Sequence, residues 1–139
     1  MRKAGWVLGI LLLATCAVFG FLSIPDEFRG SHGALQRSVS IGVVFYSVLA
    51  TAGAIGMARR LRWSPAVVAA WGGVTTYVAT VASFAFHDPG FNEPGTTVGT
   101  FATFLCVSLI ALFIWWAARD AVRRASLPRA TQGDHIPSS

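Results

Sequence analysis

Charge is what this sequence has least of. Only 12% of its 139 residues are Asp, Glu, Lys or Arg, where a soluble domain carries about 25%. Apolar residues make up 54%, and mean hydropathy is +0.59. One small aqueous core does not hide that much apolar surface, so a bilayer is the natural solvent. The four apolar runs contain no Asp, Glu, Lys, Arg or His at all. Ionisable groups at membrane depth mark proton relays and ion paths, so their absence argues against a proton-coupled transporter. Haem held between helices wants paired histidines at depth, and His32 and His87 fall only near the ends of runs. Two cysteines, Cys16 and Cys106, form no CxxC pair and no metal spacing. Both read as small apolar packing residues. No connection is long enough for a soluble domain, and no catalytic motif names a reaction.

What is present reads as an all-α integral membrane protein. Four transmembrane helices are expected over residues 4–24, 38–58, 65–86 and 97–118, each about long enough to cross 30 Å of hydrocarbon. Short loops make an up-down bundle. Residues 1–126 form one domain, and residues 127–139, rich in Pro and Ser, read as a disordered tail. The basic start and first apolar run also fit a signal peptide, and Leu13-Ala14-Thr15-Cys16 resembles a lipoprotein cleavage box. Thr15 departs from that box, and the run continues apolar through Phe19, Phe21 and Leu22. The first run is therefore expected to stay as a helix, ended by Pro25 and Asp26. Ser64-Pro65 reads as an N-cap with proline at the first position of the third helix. Asp120 and Arg124 have the spacing of a helix-supporting ion pair.

Charge orients this bundle. Arg2, Lys3, Arg59, Arg60, Arg62, Arg119, Arg123, Arg124 and Arg129 all fall on one side, leaving Arg29 and Arg37 on the other. The positive-inside rule then puts both termini and the Arg59–Arg62 turn in the cytoplasm. Trp6, Trp63, Trp115 and Trp116 fall at the same interface, as an aromatic belt would. The expected location is a bacterial cytoplasmic (inner) membrane. The formal charge of +5 suits anionic headgroups at that face better than nucleic acid.

The centre of the chain is the stretch from Thr76 to Thr103, folded back at His87-Asp88-Pro89-Gly90-Phe91-Asn92-Glu93-Pro94-Gly95. Hydroxyl stripes flank it: Thr76, Thr80 and Ser83 before the turn, then Thr96, Thr100 and Thr103 after it. Ser40, Ser47 and Thr51 share a face of the second helix. Together they are candidates for an outward-facing crevice holding a small neutral molecule, a lipid or a quinone head. Their commoner use is hydrogen bonding between helices or to their own backbone. His32, His87, Asp88 and Glu93 supply ligand types for an outer metal or redox site, without diagnostic spacing. No cofactor is required by any motif.

Small residues form the second pattern. Ala52, Gly53 and Gly56 on the second helix and Gly72 and Gly73 on the third allow close helix contact where no hydrophobic effect drives association. The reading that follows is non-enzymatic. The chain acts through helix–helix contacts, as an accessory or assembly subunit of a larger membrane complex or as a homo-oligomer. Its partners are membrane lipids and other membrane-protein subunits, or itself. The carrier and the metal site are the competing readings.

Overall fold

The computed structural model describes residues 2–29, 34–85 and 95–127. Four helices account for nearly all of them: α1 (Arg2–Arg29), α2 (Ala34–Ala58), α3 (Ser64–Ala85) and α4 (Gly95–Ser126). No strand occurs among the described residues. All four helices are long and apolar enough to span a membrane. In such a solvent every peptide group must be satisfied within the chain, which favours helices over open strands.

Three helices outrun the expected spans. α1 does not stop at Pro25 but continues to Arg29 with the proline inside it. A proline there has no N–H for the ladder, and its ring crowds the carbonyl four residues back. The last turn then gains a partner from α2, because the Ser40 hydroxyl donates to the Glu27 carbonyl at 3.3 Å. α2 starts at Ala34, and α4 carries its charged residues on to Ser126. There Arg124 pairs with Asp120, as their spacing implies. The N-cap expected of Ser64 is not made. Trp63 holds that position, its carbonyl accepting from the Ala66 and Val67 N–H groups at 3.1 and 3.2 Å. Ser64 is fully buried instead, with no hydrogen-bond partner for its hydroxyl.

Consecutive helices pack antiparallel. Gly53 of α2 lies between Leu13 of α1 and Val68 of α3, while Gly42 meets Val78 and Gly72 meets Ala111. α1 and α4 touch much less than the sequential neighbours do. The bundle closes chiefly at the end carrying the Arg59–Arg62 turn, where Gly9 faces Met57, Ile114 and Ala117. Leu13, Met57, Val68, Trp71 and Ile114 form the buried core there. Tyr46 packs on Trp71 with ring centroids 6.0 Å apart. Cys16 joins the margin of this core. Cys106, expected as a packing residue, is exposed on α4.

Among the described glycines, Gly20 leaves the least room for a Cβ, between α1 and α2. A Cβ there would collide with the Ser47 hydroxyl and reach 3.0 Å from the Tyr46 ring. In a helix Gly→Ala normally gains about 1 kcal/mol, whereas forced overpacking costs about 1–3 kcal/mol. Gly20→Ala is therefore expected to lower the thermal midpoint in detergent, and Gly73→Ala, which meets nothing within 4 Å, to leave it unchanged or raise it. A rise at Gly20 would contradict the close approach.

Candidate functional site

Four of the stripe hydroxyls are used inside their own helices. Ser47 donates to the Val43 carbonyl at 2.8 Å, Thr51 to Ser47 at 2.9 Å, Ser83 to Ala79 at 2.8 Å and Thr103 to Gly99 at 2.9 Å. Each bond reaches back one turn, the way serine and threonine are accommodated in apolar helices. Ser40 reaches α1, as described above. The Thr80 hydroxyl is buried with no hydrogen-bond partner. Thr100 is half-buried. Thr96 begins α4. His32, His87, Asp88 and Glu93 lie outside the described residues, and among the described residues no cluster of three metal-ligating side chains occurs.

The small residues divide into two sets by what surrounds them. Gly53 and Gly56 are buried inside the bundle. A Cβ on Gly53 would meet Leu13 and Val68 at 3.4 Å, and one on Gly56 would meet Ser64 and Trp63 at 2.9 Å. Ala52 is half-buried beside them. Gly72 is also spoken for, with Ala111 at 3.0 Å. Gly73 differs from all of these. It is exposed, and a Cβ there would meet nothing.

Gly73 lies on the floor of a groove between α3 and α4. Ala69, Gly72, Gly73 and Thr76 line one side, and Ser108, Ala111, Leu112 and Trp115 line the other. Its volume is about 510 Å³. Ala69 and Gly73 are four apart, as are Gly72 and Thr76, so both pairs repeat at the spacing that admits a close helix. Thr76 is the one hydroxyl of the expected crevice in this lining. The contribution of α4 was missed in the sequence. Ser108 and Ala111 carry small-residue spacing too weak to separate from the apolar run around them.

A second cleft, of about 420 Å³, opens between the start of α1 and the end of α4. Its rim is set by the turn after α2. The Leu61 N–H donates to the Gly56 carbonyl at 2.9 Å, and the Arg60 N–H to the Met57 carbonyl at 3.2 Å. Those two bonds make a Schellman cap, whose penultimate residue is left-handed and usually glycine. Here it is Arg60, at φ 54°, in a conformation that costs an L-residue about 1–2 kcal/mol. The guanidinium lies 5.1 Å from the centre of the Trp6 ring. Trp6 in turn donates its indole N–H to the Met57 carbonyl at 3.0 Å. On α4, Arg119 repeats the arrangement over Trp115 at 5.3 Å. Two arginines and two tryptophans of this end are therefore in direct contact.

The fold thus defines a class: an all-helical protein with four helices of membrane-spanning length and composition. No protein family, curated protein or solved structure matches the chain. Its function is argued from its own geometry.

Trp6→Phe keeps a ring beneath Arg60 and deletes the indole N–H. Stability in detergent is expected to fall by about 1 kcal/mol, the net worth of one such hydrogen bond. An unchanged unfolding midpoint would show that this link between α1 and α2 contributes nothing.

Proposed function

We propose that this chain is a small polytopic membrane protein that works through helix–helix contacts. It serves as an accessory or assembly subunit of a larger membrane complex, or assembles with itself. Both termini and the Arg59–Arg62 turn face the cytoplasm, because lysine and arginine concentrate at that end.

The observation that carries this reading is the α3–α4 groove. Its floor is built from Ala69, Gly72 and Gly73, and Gly73 offers bare backbone with no neighbour of its own chain within 4 Å of a Cβ. Lipid tails are as apolar as leucine, so a helix gains little by merely burying apolar area in a bilayer. It gains by close van der Waals fit and by interhelical hydrogen bonds. The groove supplies the first through its small residues and the second through Thr76 and Ser108. A transmembrane helix of another subunit fits it, crossing where α3 has least side-chain bulk. The same groove on a second copy is the homo-oligomeric version of the reading.

Gly73 permits a clean test. Gly73→Leu adds a side chain whose Cβ meets no atom of the isolated chain within 4 Å, while at Gly53 a Cβ already touches Leu13 and Val68. The native mass of the protein extracted gently from its own membrane is expected to show a larger particle. Gly73→Leu should reduce it to the single chain, with helicity and thermal midpoint retained. Reproducible foreign polypeptides in the particle identify a subunit, and a multiple of the chain's own mass identifies a homo-oligomer. A particle of unchanged mass in Gly73→Leu would contradict the groove as the contact surface.

A further inference from the structure

We propose that the cleft between α1 and α4 binds one anionic phospholipid, its phosphate at the basic rim and one acyl chain against the apolar wall. The proposal goes beyond the helix-contact reading, and rests on it only in taking the helices to cross a bilayer.

The cleft changes character along its length. At the bundle end its lining carries Lys3, Arg60 and Arg124, against one carboxylate, Asp120. Asp120 is paired with Arg124, so Lys3 and Arg60 leave a net positive rim. Deeper in, the walls are Leu8, Phe113 and Trp116. From Phe113 to Arg124 along α4 is about 16 Å at 1.5 Å per residue. That covers a headgroup and the upper part of a chain, with the charge end of the cleft matching the charge end of the lipid. The apolar walls are accessible. Trp116 is 53% exposed and Leu8 49% exposed, although both belong to a cleft that the chain's own side chains do not fill.

The turn at Arg60 supports the assignment independently. A glycine would make the same Schellman cap without the left-handed penalty. Strain of this kind persists where the surroundings require it, and it clusters at ligand clamps and similar sites. Arginine at this position puts a guanidinium over Trp6 at the mouth of the cleft. Its planar fork of donors suits a phosphate that offers several acceptor oxygens. Phosphatidylglycerol provides the required chemistry, and phosphatidylcholine provides the same chains without net charge.

The two sources of attraction, a built cleft and a generally basic surface, are separated by variants of equal charge. Lys3→Gln with Arg60→Gln removes two cations from the cleft. Arg59→Gln with Arg62→Gln removes two exposed cations of the same turn that do not line it. The full-length protein is placed in bilayers mixing phosphatidylcholine with phosphatidylglycerol whose acyl chains are brominated, and tryptophan quenching is followed against a brominated phosphatidylcholine control. The wild type should be quenched preferentially by the anionic lipid, and Trp116→Phe should remove much of that excess. The preference should fall about fivefold per cation removed in the Lys3/Arg60 variant, a Lys or Arg near a headgroup contributing about that much. It should fall clearly less in the Arg59/Arg62 variant, whose cations do not line the cleft. Equal quenching of the wild type by both lipids would overturn the proposal. So would equal losses in the two double variants, which would assign the attraction to surface charge alone. The wild-type comparison stands even where a variant fails to fold, and circular dichroism identifies that case.

Discussion

Close fit between helix backbones is the constraint on which this structure depends. Water does not push these helices together if their surroundings are hydrocarbon, because an apolar side chain is as well solvated by lipid as by protein. What remains is contact. Gly20 lets α1 lie against Ser47 and Tyr46, Gly42 lets α2 lie against Val78, and Gly53 and Gly56 bring α2 down onto Leu13, Val68 and Ser64. Around these approaches the larger side chains, Leu13, Met57, Val68, Trp71 and Ile114, close the core. Phe19, Leu22 and Leu109 turn outward, at 65%, 68% and 64% exposure. In water that surface would be a liability, and in a bilayer it is the normal exterior.

Polar groups follow the same economy. Ser23, Ser47, Thr51, Thr75, Ser83 and Thr103 return their hydroxyls to the carbonyl one turn back. The bonds that do cross between helices sit near their ends: Trp6 to Met57, Ser40 to Glu27, and the Ser38 and Tyr77 hydroxyls at 3.2 Å. The first two tie carbonyls in the last turns of α2 and α1, where the helix itself supplies few donors. The middle of the bundle is held by shape and its ends by hydrogen bonds and cation–aromatic contacts. α1 and α4 close the ring only loosely. The two clefts described above flank α4, one on its α3 side and one on its α1 side.

Much of this was legible in the sequence, and the limits have a physical cause. The four helices, the paucity of charge, the basic end and the Asp120–Arg124 pair all follow from length, composition and spacing. Facing did not. A soluble helix advertises its buried side by a polar opposite face. Here both faces are apolar, so nothing distinguishes Gly53, which is packed inside, from Gly73, which is open. For the same reason Cys106 read as a core residue and is exposed. The ends of α1 and α3 depended on tertiary partners that no local rule records: Ser40 reaching Glu27 past the proline, and Ser64 packing on Gly56 instead of capping. Arg60 in a position that favours glycine was invisible for a similar reason, since only the three-dimensional cap reveals it.

The central claim is that the α3–α4 groove is occupied by protein in the membrane. A photo-crosslinking side chain placed at Ala69, on the groove lining, and separately at Leu109, exposed on α4 outside it, tests this in the native bilayer. Ala69 should give a discrete protein adduct, its mass that of this chain plus one reproducible partner or of two copies, and Leu109 lipid adducts alone. Lipid adducts alone from both positions would contradict it.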